Sequence, residues 1–223
     1  HWSGHLSIDG EAIRITPESC SGTRDRSWGV RPIGAADSQP LAPMRPPQFF
    51  WAWTPLNFGD RSVFFHVNDD AFGKSWNTRA VIAEDGVGRD GHDHMAACVC
   101  DIEWQSGTRR ARSAVIRLKD EQGLDMSVEL KPEATFQMKG IGYGHPVWGH
   151  GAFKGEQLAI VREDFRPDEL TWADPTNLHI QALSKAILTD ADGQTHEGRG
   201  SFEQLFIGPH APSGFKDILD PAQ

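Results

Sequence analysis

Turn-forming residues interrupt this chain about every 8 to 15 residues, and the runs between them alternate apolar and polar with the period of a strand rather than a helix. That rhythm predicts an all-β fold. Asp9-Gly10 stands between His5-Leu6-Ser7-Ile8 and Ala12-Ile13-Arg14-Ile15, the strongest short hairpin signal that sequence offers. Further strands are predicted at 49–56, 62–68, 76–83, 95–104, 111–119 and 124–131, and later at 135–139, 151–161, 177–188 and 201–207. In 62–68 both faces carry an aromatic residue, Phe65 beside Val63 and Val67 and Phe64 beside His66, so that strand is expected to be covered on both sides. The runs 111–119 and 124–131 read as half-buried members of a meander.

Many antiparallel strands need a closed or stacked arrangement to remove free edges, so the expected architecture is an antiparallel β-barrel or sandwich. Residues Arg31 to Gln48 hold five prolines and no periodicity, which places a boundary there. The expected organisation is an N-terminal unit, 1–48, with the hairpin and a Pro-rich loop, followed by a main β domain, 49–223. The formal net charge of −9 argues against a nucleic-acid partner, which needs a basic face. No apolar run reaches the roughly 18 to 20 residues of a membrane-spanning helix. Three cysteines, Cys20, Cys98 and Cys100, are too few for a secreted disulfide framework and point to a reducing, cytoplasmic setting. On a strand, Cys98 and Cys100 share a face with Ile102 and Trp104 and read as small core residues.

The segment Gly22-Thr23-Arg24-Asp25-Arg26-Ser27-Trp28-Gly29-Val30-Arg31 packs an acid, three arginines, a hydroxyl and a Trp around two glycines. Burial beside apolar walls would raise the Asp25 pKa and a neighbouring arginine would lower it. A second segment, Gly140-Ile141-Gly142-Tyr143-Gly144-His145-Pro146-Val147-Trp148-Gly149-His150-Gly151, repeats the spacing of Gly and Trp-Gly at an offset of 120 residues and brings His145 to the place of Asp25. An acid and an imidazole facing one pocket would make a proton-transfer pair. Phe49, Trp51 and Trp53 fall on one strand face, an aromatic wall suited to an apolar ligand or, equally, to a core. His92-Asp93-His94 lies in a turn-rich stretch, and no HExxH spacing occurs, so no metal site is assigned.

The Gly22 to Gly29 segment resembles the G-x-R-D-x-S-W-G signature of the carotenoid hydratase and AttH-like superfamily. The segments Gly144 to Gly151 and Gly198 to His210 are similar to motifs of uncharacterised bacterial members of that group. The resemblance implies a lipocalin-like β-barrel, this chain being the C-terminal portion of a two-barrel protein whose N-terminal half is separate or missing. It also implies cofactor-independent acid/base chemistry at a C=C bond of a hydrophobic substrate. Asp25 matches the motif aspartate, and Arg26 stands where the family's commonest form has His.

The expected protein is therefore an enzyme that hydrates, isomerises or cyclises an isoprenoid, steroid-like or polycyclic molecule. Asp25 and His145 would be its catalytic pair. Arg24 and Arg31 would orient the acid or a substrate oxygen, and Trp28, Trp51, Trp53 and Trp148 would wall the cavity. A noncatalytic carrier of an apolar ligand, and a metal-dependent hydrolase using His92, His94 or His145, are the competing readings.

Overall fold

The computed structural model describes residues 1–26, 28–29, 47–88, 91–141, 143–149 and 151–223. Two short strands, β1 (Gly4–Ile8) and β2 (Glu11–Ile15), form the N-terminal hairpin. Asp9 and Gly10 both take positive φ, 51° and 85°, the two-residue turn that matches strand twist. Apolar residues of this hairpin, such as Leu6 and Ile8, face solvent.

The remaining strands form a single nine-stranded sheet: β3 (Phe49–Asn57), β4 (Arg61–Asp69), β5 (Ser75–Glu84), β6 (His92–His94), β7 (Ala97–Trp104), β8 (Ala111–Lys119), β9 (Asp125–Gln137), β10 (Ile180–Thr189) and β11 (Thr195–Ile207). Their spatial order is β6-β5-β4-β3-β11-β10-β9-β8-β7, every pairing antiparallel. Two meanders are thus joined where the last strand pairs with β3. The sheet curls into an open half-barrel, and its two flanks approach where the Met95 amide donates to Ala80 O and Thr78 Oγ1 lies 3.4 Å from Cys98 Sγ. An all-β, barrel-like fold follows directly from the sequence rhythm.

Three of its hairpins use the same device. Asp70, Asp120 and Asp190 each turn a side-chain oxygen onto backbone N–H groups two or four residues on, and a glycine with positive φ completes the turn. Gly198 and Gly200 have a packing reason: a Cβ at either would collide with the β3 backbone, so β11 can lie close against that strand only without side chains there.

The inner face is filled. Ala52 and Leu56 of β3, Val63 and Phe65 of β4, Ile116 and Leu118 of β8, Val128 and Leu130 of β9, and Phe202 and Phe206 of β11 are all buried and in contact. Cys98, Cys100, Ile102 and Trp104 pack on the same core, as their spacing indicated. A buried Phe contributes about 1.5–3 kcal/mol, so this interior is a stabilising core. One end is closed by the C-terminal tail, where Arg109 donates to the carbonyls of Gly208, Asp217 and Asp220, pairs with the Asp220 carboxylate, and lies 4.2 Å from the centre of the Phe215 ring.

Two expected strands are one. Residues 124–131 and 135–139 merge into β9, with a bulge opposite Leu183/Ser184. Pro132 is tolerated because β8 and β9 pair only as far as Ala114 and Leu130, leaving the next part of β9 without a ladder partner on that side. The strand expected at 151–161 does not form. The chain there runs irregularly across the outside with Phe153, Leu158 and Ile160 exposed. The strand expected from 177 begins at Ile180, after a 3-10 turn (Pro175–Asn177) capped by the Asp174 side chain.

Candidate functional site

Lys139 and Gly140 follow β9 with φ of 53° and 66°, two left-handed residues that turn the chain out of the sheet. That conformation costs a non-glycine residue roughly 1–2 kcal/mol, so Lys139 is a strained position. The amides of Tyr143 and His145 both donate to Gly140 O, which closes a tight loop. A Cβ at Gly140 would strike the Gly144 and His145 backbone, so this glycine of the second motif is required by the loop itself.

His145 is held at both ring nitrogens. Its Nδ1 accepts from the Val147 and Trp148 amides at 3.1 and 2.9 Å, which places the proton of the neutral ring on Nε2. Nε2 lies 3.3 Å from Glu163 Oε2. The imidazole is buried, while the carboxylate is partly open. Glu163 and Trp148 line a cavity of about 780 Å³ between the end of β9 and residues 139–170. It is an open cavity whose apolar lining includes Phe136, Ile141, Ile160 and Phe165, all exposed, and Leu170, and Lys139 and Arg162 add cations to the lining. Both cations are engaged: the Lys139 ammonium reaches Thr176 Oγ1 and the Phe165 ring, and Arg162 bridges Asp9 and Asp164.

A second imidazole–carboxylate pair lies on the outer face of the sheet. His179 Nε2 is 2.6 Å from Glu203 Oε1, and the His179 ring meets the edges of Trp51 and Tyr143. The cross-strand rows Trp53–Glu203–Gln181–Phe136 connect this pair to the cavity wall. Trp51 and Trp53 share the outer face of β3 with Phe49, as their alternation required, and both are half-buried; Trp53 stacks on Phe64.

The first motif lies elsewhere. Arg24 and Asp25 are exposed, and Trp28 is 85 % exposed with Arg26 near its ring. No apolar wall of the described residues encloses the Asp25 carboxyl, and no described contact joins Asp25 to His145. Arg31, Ser27 and His150 lie outside the described residues. His92 and His94 sit exposed on edge strand β6 with ring centres 5.2 Å apart, and no group of three or more potential ligands that could hold a metal ion occurs among the described residues.

Glu163 and the pair His179–Glu203 were not anticipated. Glu163 lies just beyond the strand expected at 151–161, and Glu203 reaches His179 only through the β10–β11 register. Neither partnership has a local spacing signal.

Fold and site together define an antiparallel β protein with a filled half-barrel and an apolar cavity built outside its sheet. No helix among the described residues is long and apolar enough to cross a membrane. The chain belongs to a family of unknown function (DUF8625), which it matches over residues 1–216. No curated protein and no solved structure matches it.

Proposed function

We propose that this protein is an enzyme that binds a hydrophobic small molecule in the cavity beside β9 and moves a proton on it with Glu163, held by His145. The observation that carries this reading is a carboxylate in the wall of an apolar cavity with a buried imidazole of fixed tautomer behind it. Glu163 is the group that touches substrate, and His145 positions it. Of hydration, isomerisation and cyclisation at a C=C bond, isomerisation asks least of the site, since one carboxylate takes a proton from the allylic carbon and returns it to the far alkene carbon. No cofactor is needed for that cycle. The Trp148 face would lower the energy of developing positive charge by roughly 0.5–2 kcal/mol if cyclisation or hydration is the route. The resemblance to the carotenoid hydratase and AttH-like proteins supports the substrate class and a lipocalin-like ancestry for the barrel. Three free cysteines accord with a reducing, cytoplasmic location.

The test is turnover of a β,γ-unsaturated cyclic ketone, followed by absorbance of the conjugated product. Glu163→Gln is expected to lose about 10² or more in kcat, the range for removing a general acid or base. His145→Ala should lose about tenfold or more through misplacement of Glu163, and Asp25→Asn should retain full rate. Loss in Asp25→Asn with retention in Glu163→Gln would return the acid to the first motif. Saturable binding of the ketone without turnover would leave the carrier reading in place.

A further inference from the structure

Arg109 and Arg110 are neighbours at the turn before β8, and their guanidinium groups have opposite surroundings. Arg109 is saturated by three carbonyls and the Asp220 carboxylate. Arg110 makes no ion pair among the described residues, and its Nη2 is buried without a hydrogen-bond partner. Burial alone pushes its pKa down, with no carboxylate to restore it. An arginine nitrogen removed from water and left unpaired is costly, and charge of this kind is normally paired in a folded protein.

The position of Arg110 explains its isolation. Strands β8 and β9 stop pairing at Ala114 and Leu130, so the first residues of β8 splay away from the bulged part of β9. Between them lies a cavity of about 240 Å³ lined by Arg110, Gln105, Arg112, Thr135 and Gln204. The other charges there are already matched: Arg112 pairs with Glu103, and Glu133 pairs with Lys185 at 2.7 Å. On its other side Arg110 borders a hole of about 10 Å³ together with Asn177, whose buried Oδ1 also lacks a partner. A neutral neighbour such as Asn177 leaves the positive charge of Arg110 uncompensated.

We infer that the cavity between the splayed ends of β8 and β9 binds a small oxyanion, a carboxylate or a phosphate, with the Arg110 guanidinium as its anchor and Gln105 and Thr135 as further donors. The planar guanidinium fork suits a two-oxygen anion, and the cavity is below the roughly 300–1,000 Å³ of sites that enclose a drug-sized ligand. The anion is therefore a small molecule or the head of a longer one. Thr135 lines both this cavity and the larger one outside β9, so the two adjoin.

The experiment is calorimetric titration of the full chain with sodium benzoate, inorganic phosphate and decanoate, with benzamide as the neutral control. Saturable binding of at least one anion, no binding of benzamide, and an affinity loss of about tenfold or more in Arg110→Gln, the effect of removing a charge-assisted hydrogen bond, support the site. Decanoate binding well above benzoate places the anion at the head of an apolar ligand; comparable binding places it on a small free anion. Absence of saturable binding by all three anions, or undiminished binding in Arg110→Gln, overturns the assignment. Should Arg110→Gln fail to fold, Arg110→Lys keeps the charge without the fork: weakened but measurable anion binding supports the site, and unchanged affinity overturns it.

Discussion

The inside of the curled sheet and the segment 139–170 outside it are built from the same kinds of residue and behave oppositely. Inside, strand alternation aims Phe65, Phe202 and Phe206 at one another, and they leave no room for a ligand among themselves. Outside, Ile160 and Leu158 are 83 % and 87 % exposed, in an irregular stretch that joins no strand. Apolar content therefore does not locate the core or the site in this molecule. Strand alternation locates the core, and the two cavities described above adjoin the part of β9 beyond its pairing with β8.

The largest expected effect tests whether the interior is as full as it looks. Phe202→Ala should lower unfolding free energy by about 3–5 kcal/mol, while Ile160→Ala should stay within about 0.5 kcal/mol, both read from denaturant midpoints at constant m-value. A small cost at Phe202 would mean that the half-barrel can collapse or open around the deletion. It would then become a candidate ligand chamber, and the contrast between inside and outside would fail.

The adjacent arginines carry the same contrast to one end of the barrel. Removing one member of a buried, fully bonded pair costs about 3–5 kcal/mol, which is the expectation for Arg109→Ala. Arg110→Gln removes a charge with no partner, so its stability should be unchanged or slightly higher. The Asp220 carboxyl gives this prediction a pH signature. Burial pushes its pKa up, but the amides of Lys216 and Asp217 and the Arg109 guanidinium hold it below the ordinary value. A depressed folded pKa contributes stability that is present above the unfolded value of about 3.9 and is lost as pH falls through the folded value. Wild type should accordingly lose stability more steeply than Asp220→Asn below about pH 4, measured as Tm against pH. Parallel curves would show that the Arg109 clamp carries no linked proton.

How much of this was legible beforehand divides along the same line. The strands came from alternation and turns, and the Asp9-Gly10 hairpin could be placed, because the signals are local. The shared faces of Trp51 and Trp53, and of Cys98 and Cys100, followed from a period of two. The sites did not follow. Glu163 meets His145, and Glu203 meets His179, across 18 and 24 residues of chain. Arg110 becomes conspicuous only once the end of β8–β9 pairing is known. In the second glycine-rich segment Trp148 lines the cavity outside β9, His145 meets Glu163 in its wall and Tyr143 lies against His179, whereas the first copy, around Asp25, stands exposed where the described chain encloses nothing.

The smallest expected effect concerns the free flank of the sheet. Cys98 and Cys100 sit on β7, an edge strand, yet their thiols face the core, and burial, with the charge of Asp69 behind it, pushes the Cys100 pKa up to about 12. Such a value leaves roughly one molecule in ten thousand as the reactive thiolate at pH 8. Burial also raises the Cys98 thiol, which the Thr78 hydroxyl offsets in part. Iodoacetamide at pH 8, followed by peptide mass spectrometry, should therefore modify Cys20 first and Cys98 more slowly, with Cys100 modified only after denaturant is added. Modification of Cys100 at the rate of Cys20 in native buffer would mean that β7 detaches from β8 on the timescale of alkylation. The half-barrel would then be opening at its seam, and the interior would be reachable after all, by an edge rather than by a mouth.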